Sequence, residues 1–265
     1  METEFFDSHA HYNDEKFAED REDVIEKIYE SGVTKFVSAG YDVESSIYGV
    51  KLANEKEYIY TTVGLSPNDV KESIEETSIK IKKIEEILKS EIENKKIVAI
   101  GEIGLDYYWN KENKEIQKYA FVEQIKLANK YNLPIVIHTR EAVMDTLDIL
   151  KNVQAANKKG VFHCCPLNRE LVKEALKLDF YISFAGPITF KNAKNAEEIV
   201  QMVPLEKALI ETDSPYLAPE PKRGTRNDSR NVKLIAQKIA DFKEITIEEV
   251  AKTTYKNAMK IFNTK

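Results

Sequence analysis

Short apolar segments alternate with longer amphipathic segments along this chain. The apolar segments are about four to six residues long and rich in β-branched or aromatic residues, bounded by polar stretches, which is typical of β-strands. This pattern predicts eight strands, at residues 4–8, 33–38, 58–63, 97–101, 134–138, 160–163, 181–184 and 207–210.

The segments between the strands carry apolar residues at helical spacing, which predicts amphipathic helices that bury one face. The clearest cases are Val24, Ile25 and Ile28; Ile81, Ile84 and Leu88; and Ile116, Ala120, Phe121, Ile125 and Ala128. Near the C-terminus, Thr246 followed by Glu249 is the pattern of a capping box. A last helix is therefore expected to begin after Thr246 and to extend to about Phe262.

Strands that are separated by helices are joined by parallel crossovers, and eight such units predict a barrel. The expected fold class is α/β, a single (β/α)8 TIM-type barrel. A doubly wound open sheet is the alternative, since periodicity does not show closure. We find no repeat or Pro/Gly/Ser-rich linker, so residues 1–265 are expected to form one domain.

Composition narrows the class of protein. The 265 residues are 42% hydrophobic, enough for a full core, and the net charge of −6 would repel a polyanion as a whole. A phosphate-bearing substrate would need local cations or bound metal, and a nonspecific nucleic-acid coating protein is disfavoured. No apolar run is long enough to cross a bilayer, and the first residues do not resemble a signal peptide. We therefore expect a cytoplasmic protein that binds no membrane and needs no obligate protein partner. The adjacent Cys164 and Cys165 are expected to be free thiols.

Metal-binding residue types stand at the ends of the predicted strands. They are His9 and His11 after the first strand, Glu102 after the fourth, His138 ending the fifth, His163 ending the sixth and Asp213 after the eighth. In a parallel barrel the carboxyl ends of the strands meet on one face, where catalytic groups collect. The six side chains are therefore expected to converge.

This set of ligands predicts a centre with two divalent metal ions. His9 and His11, two residues apart on a strand, point to the same side and can hold one ion, completed by Asp213. His138 and His163 can supply nitrogen to a second ion, with Glu102 as a bridging carboxylate. Imidazole with carboxylate suits Zn²⁺, Mn²⁺, Fe²⁺ or, less naturally, Mg²⁺, and two ions that activate a water predict hydrolysis. A single histidine at a strand end is more often structural, so the hypothesis depends on the whole set.

Several nearby residues are candidate substrate contacts. Arg140, two residues after His138, is either a phosphate contact or a salt-bridge partner at a helix start. Tyr107, followed by two further aromatic residues, belongs either to a base-stacking surface or to ordinary packing. Arg223 lies in a basic loop after the eighth strand, which either faces the substrate or is simply solvated.

Several motifs of this chain resemble those of the TatD-related deoxyribonucleases, a family of the metal-dependent hydrolase superfamily. The resemblance runs from the first strand to the last and is most specific in Gly-Glu-Ile-Gly-Leu-Asp at 101–106 and Glu-Thr-Asp-Ser-Pro at 211–215, with further matches at 7–11, 137–140, 162–164, 186–190 and 223–224. It implies a barrel with metal ligands at His9, His11, Glu102, His138, His163 and Asp213. It also implies phosphodiester hydrolysis of DNA, with single strands or strand ends as the expected partner.

The chain departs from that family in two places. Where the family has a histidine that is expected to contact a substrate phosphate, this chain has Ser66. A serine hydroxyl is shorter and carries no positive charge. The residues Cys165, Pro166 and Leu167 replace the usual continuation after His163 and Cys164. The metal ligands are retained, so we expect an intact metal centre with altered substrate affinity or choice.

The expected mechanism uses Asp213 as ligand and general base for a metal-activated water that attacks phosphorus, with Glu102 essential and Arg140 and Arg223 assisting. Two alternatives remain open at this point. One is a metallohydrolase of the same superfamily acting on a small amide, lactone or phosphoester. The other is a noncatalytic metal-binding protein, which the replacement at Ser66 makes conceivable.

Overall fold

The computed structural model describes residues 3–70 and 73–264, and in them all eight predicted strands are present. They form one eight-stranded sheet in which β1 to β8 follow each other in sequence order. The strands are β1 Phe5–Ala10, β2 Val33–Ala39, β3 Ile59–Val63, β4 Ile97–Asp106, β5 Ile135–Arg140, β6 Gly160–Phe162, β7 Tyr181–Phe184 and β8 Ala208–Ile210. Every pairing whose register is resolved is parallel.

The strand order confirms the (β/α)8 TIM-type barrel and excludes the doubly wound alternative, whose strand order reverses at a switch point. The first and last strands also meet. The segment after β8 pairs with β1 through a parallel bridge between Ala10 and Ser214. The Asp213 amide donates to the His9 carbonyl at 2.9 Å, and the His11 amide donates to the Ser214 carbonyl. The sheet therefore joins its own first strand, as a barrel requires.

Helices follow the strands in alternation. They are α1 Arg21–Glu30, α2 Val43–Glu55, α3 Ile74–Glu91, α4 Lys114–Tyr131, α5 Val143–Asp148, α6 Arg169–Lys177, α7 Ala196–Met202, α8 Val232–Lys243 and α9 Ile247–Phe262. The predicted start of α9 is confirmed, because the Thr246 side chain accepts the Glu249 amide at 3.2 Å. In the described ranges 3–70 and 73–264, no helix has both the length and the apolar character needed to cross a bilayer.

Three strands extend at least two residues further than the sequence predicts. β1 continues to Ala10 and β4 to Asp106, so His9 and Glu102 lie within strands and not after them; β5 continues to Arg140, so His138 lies inside its strand and not at its end. The apolar pattern stops where polar ligand residues begin, but the backbone hydrogen bonds between neighbouring strands continue. Strand pairing, which the pattern of one segment does not show, therefore sets the true ends.

The chain forms two compact units, each with its own buried apolar residues. The described residues of one are 3–38, 163–176 and 181–264, and those of the other are 39–70, 73–162 and 177–180. In the first, the Tyr12 ring lies 4.9 Å from the rings of Phe17 and Phe36. In the second, Phe121 and Ile125 of α4 are fully buried. These interiors hold the strands that carry the polar residues described next.

Candidate metal centre

Three predicted ligands meet where β1 and the segment after β8 run side by side. His9 lies on β1 and His11 is the first residue after that strand, so both imidazoles come from its carboxyl end. The backbone bonds that join His9 and His11 to Asp213 and Ser214 fix the carboxylate of Asp213 beside both imidazoles. His9 and His11 are buried, whereas Asp213 is partly exposed.

The spacing of these ligand atoms fits one metal ion. His9 Nε2 lies 3.2 Å from His11 Nε2, and Asp213 Oδ1 lies 3.2 Å from His11 Nε2 and 3.7 Å from His9 Nε2. Ligands about 2.1 Å from a shared ion stand roughly 3.0 to 3.4 Å apart in octahedral or tetrahedral geometry. The observed triangle agrees within a few tenths of an ångström, and its two nitrogens and one carboxylate oxygen suit a divalent transition metal.

The charge state of Asp213 follows from the same contacts. Burial opposes ionisation, but the hydrogen bond from His11 and the charges of the surrounding imidazoles outweigh it, and they hold the pKa of Asp213 below its usual value. The carboxyl group is therefore ionised near neutral pH, as a ligand must be.

His163 joins this group and is oriented by Glu211, which the sequence analysis missed. The His163 ring stacks on the His9 ring, with centroids 4.0 Å apart and planes at 16°. Glu211 Oε1 lies 3.3 Å from His163 Nδ1 and accepts the Cys164 amide at 2.6 Å. An Nδ1–H donated to this carboxylate leaves the lone pair of His163 on Nε2, the atom a metal would bind. The signal in the sequence is the position of Glu211, two residues before a predicted ligand.

Asp7 is a second carboxylate to which the sequence analysis gave no role. It is fully buried on β1, and it accepts hydrogen bonds from the Thr212 amide at 2.9 Å and from the Thr212 and Ser229 hydroxyls at 2.5 Å each. Burial raises its pKa to about 7, and these hydrogen bonds limit the rise. Since His9 follows on the same strand and Asp213 follows Thr212, Asp7 fixes the two ligand segments to each other.

In the other unit, β4 and β5 bring Glu102 and His138 together. Glu102 Oε1 lies 3.0 Å from His138 Nδ1, and Asp106 Oδ2 lies 2.9 Å from His138 Nε2. Burial works against ionisation of Asp106, but the bond to His138 and two backbone amides hold the pKa of Asp106 below its usual value. One imidazole therefore stands between two carboxylates. This arrangement fits a metal-binding histidine, in which one ring nitrogen binds the ion and the other is hydrogen-bonded to a carboxylate.

Asp106 also shapes the aromatic segment that follows β4. Its Oδ1 accepts the backbone amides of Tyr108 and Trp109 at 2.9 and 3.0 Å. Tyr107 is only 6% exposed, and its hydroxyl donates to Asp145 Oδ2 at 2.7 Å. Its ring is therefore packed in the interior and offers no surface on which a base could stack. The Arg140 guanidinium lies over the Tyr108 ring, with Cζ 3.8 Å from the centroid.

The two remaining candidate contacts lie in separate surroundings. The Ser66 hydroxyl donates to Asp69 Oδ2 at 2.8 Å and accepts the Asn68 amide at 3.2 Å within its own buried turn. Arg223 is exposed and lies over the Phe190 ring, with Cζ 4.2 Å from the centroid. Ser66 is thus already engaged locally, whereas Arg223 presents its charge to solvent.

Comparison with known proteins agrees with this geometry. The family model of the TatD-related DNases matches residues 6–263. The metal-dependent hydrolase YabD of Bacillus subtilis is 42% identical over 257 residues, which is 97% of this chain and 98% of YabD. YcfH of Escherichia coli, another metal-dependent hydrolase, is 33% identical over 260 residues, with 97% and 95% covered. The crystal structure of YJJV, a TatD homologue from E. coli, superposes with a TM-score of 0.92 at 25% identity and covers both chains completely.

Proposed function

The chain belongs to the TatD-related DNase family and is a metal-dependent hydrolase, and on that premise we propose that it cleaves phosphodiester bonds of DNA, in single strands or at strand ends. The observation that carries the proposal is the triangle of His9, His11 and Asp213, whose spacing suits a metal ion. Hydrolysis of a phosphodiester is a reaction for which divalent ions are well suited, because charge develops on phosphate oxygens. We propose a cytoplasmic location for this activity, because the two cysteines, Cys164 and Cys165, are adjacent in the sequence and poorly placed to bridge each other.

The proposal includes two divalent ions, of Zn²⁺, Mn²⁺, Fe²⁺ or Mg²⁺. His9, His11 and Asp213 would hold one, and Glu102, His138 and His163 would serve the other. When bound, such ions lower the pKa of a coordinated water and neutralise charge on the phosphate. Histidine with carboxylate favours the transition metals over Mg²⁺, which prefers oxygen ligands alone.

The side chains of the chain have distinct roles in this reaction. The carboxylate of Asp213, partly exposed and fixed by His11 at 3.2 Å, accepts a proton from the attacking water. Glu211 and Asp106 keep the rings of His163 and His138 in orientation. Arg140 and Arg223 offer positive charge to the substrate phosphates. Ser66 replaces a cationic contact by a neutral hydroxyl that already bonds Asp69, so weak phosphate binding is expected there.

The test is digestion of an end-labelled single-stranded oligonucleotide by protein purified without chelator, with metal content measured on the same sample. We expect metal-dependent cleavage, about two ions per chain, and loss of cleavage in Glu102→Ala. Glu123→Ala is the matched control, because this α4 carboxylate pairs with Lys126 at 2.7 Å and has no part in the centre.

Two results would contradict the proposal. Cleavage at the parental rate by metal-loaded Glu102→Ala would remove Glu102 from the centre. Hydrolysis of small amides, lactones or phosphoesters without any cleavage of DNA would favour the alternative metallohydrolase, which needs no surface for a strand.

A further inference from the structure

An exposed pair of aromatic rings with an arginine stands at the carboxyl ends of β4 and β5. We propose that Tyr108, Trp109 and Arg140, here called the aromatic platform, stack an unpaired base of the DNA strand that is cleaved. This inference deepens the proposed function and rests on it, since it names single-stranded, base-bearing DNA as the substrate.

The aromatic platform is exposed and cationic. Tyr108 is 46% exposed and Trp109 is 68% exposed, and their rings meet edge to face with centroids 4.8 Å apart. The Arg140 guanidinium lies 3.8 Å from the Tyr108 centroid and 5.5 Å from the Trp109 centroid. A cation held against aromatic rings offers a base both a π-surface and positive charge for the neighbouring phosphate.

The rings of Tyr108 and Trp109 are not packed in the interior, as comparison with the neighbouring Tyr107 shows. Tyr107 shows what a packed aromatic residue looks like here, with a buried ring and a hydroxyl bonded to Asp145. Arg140 also has no structural role as a salt-bridge partner. Among the described residues no carboxylate lies within salt-bridge distance of its guanidinium, although the adjacent Glu141 pairs with Lys111 at 3.7 Å.

The aromatic platform is fixed to the candidate metal centre by a single buried carboxylate. Asp106 accepts the amides of Tyr108 and Trp109 through Oδ1, and its Oδ2 lies 2.9 Å from His138 Nε2. Arg140 is two residues beyond His138 on β5 and pairs in register with Asp106. A base on the aromatic platform would therefore lie beside the ligand His138, close to the phosphate to be cleaved.

Base stacking would provide affinity for a DNA strand that the negative charge of this protein otherwise repels. With a net charge of −6, the protein as a whole repels a polyanion. Each base stacked on an aromatic side chain contributes free energy that does not depend on charge, and it is tolerant of sequence. An aromatic platform with one local cation is thus a suitable contact for a strand on an acidic protein.

The first test uses intrinsic fluorescence. Trp109 is the single tryptophan of the sequence, so tryptophan emission reports on the aromatic platform alone. Metal-loaded protein is titrated with a cleavage-resistant phosphorothioate oligothymidylate and with an abasic phosphorothioate strand of equal length. We expect saturable quenching by the base-bearing strand and little by the abasic strand. An equal response to both strands, or no response to either, would overturn the proposal.

The second test measures turnover. On an oligothymidylate, Trp109→Ala should raise KM about fivefold or more with kcat unchanged, as the loss of one stacked base requires. On the abasic strand the same variant should behave as wild type. Tyr29→Ala is the control, because Tyr29 is an exposed aromatic residue on α1, outside the aromatic platform, and its loss should change KM for neither substrate.

The outcomes separate the two proposals. If DNA is cleaved but Trp109→Ala changes KM equally for both strands, or for neither, the aromatic platform does not bind a base and the nuclease assignment stands. If no DNA is cleaved with any metal, the proposed function fails, while base-dependent quenching would still support a base-binding platform.

Discussion

Replacement of Gly104 by alanine tests whether the close approach of β4 and β5 positions the predicted ligand His138. Gly104 has φ +140°, a conformation that residues with a side chain rarely adopt, and it pairs in register with His138. A Cβ at Gly104 would lie 2.0 Å from the His138 carbonyl oxygen, a backbone atom that cannot rotate away.

The expected cost follows from that distance. Relief of the overlap requires the two backbones to separate by about 1 Å, and such overpacking costs about 1 to 3 kcal/mol. The strained φ adds about 1 to 3 kcal/mol. We therefore expect Gly104→Ala to lower the free energy of unfolding by about 2 to 6 kcal/mol, a large part of the stability of a typical domain. Displacement of His138 should also weaken metal binding.

Gly224→Ala is the matched control. Gly224 also has positive φ, +89°, but an added Cβ would meet no atom within 4 Å. In this control the free energy of unfolding should fall by only about 1 to 2 kcal/mol, the cost of placing a side chain at positive φ. Urea unfolding of both variants, with metal content measured on each, gives the comparison. If Gly104→Ala loses no more unfolding free energy than Gly224→Ala, the reasoning from strand contact is refuted.

Three further predictions concern the carboxylates. Glu211→Gln weakens the support of His163, so metal affinity measured by competition with a chelator should fall about 10- to 100-fold, and unchanged affinity would remove Glu211 from that role. Asp7→Ala leaves buried hydroxyl and amide donors without their acceptor and should lower the free energy of unfolding by about 3 kcal/mol in urea; a loss below about 1 kcal/mol would contradict this. The Tyr107 hydroxyl and a lysine hold the pKa of Asp145 below its usual value. Its stabilising contribution is therefore present above the unfolded pKa of about 3.9 and is lost as the pH falls. The stability difference between wild type and Asp145→Asn should shrink on acidification, and a constant difference would count against the pairing.

The sequence indicated the candidate ligands better than it indicated the carboxylates that contact them. His9, His11 and Asp213 could be found because each stands at a strand end and belongs to a residue type that binds metal. Glu211 and Asp106 could not, because a carboxylate that orients a histidine differs from a solvated one only in what it touches.

The aromatic segment shows the same limit. Three aromatic residues in a row do not indicate which ring is buried. The structure buries Tyr107 against Asp145 and exposes Tyr108 and Trp109, so the predicted substrate role passes from the first ring to the other two in our proposal. Orientation at the end of a strand depends on the Asp106 hydrogen bonds, which no periodicity encodes.

The sequence by itself determined the strands, their alternation with helices and the residue types of a metal centre, because these depend on local apolar pattern and side-chain chemistry. Only the tertiary structure decided which polar groups support the ligands. Asp7 bonds Thr212 and Ser229, which lie 205 and 222 residues away along the chain. Such pairings arise when parallel strands from opposite ends of the chain become neighbours, and their distances are fixed by backbone hydrogen bonds between strands.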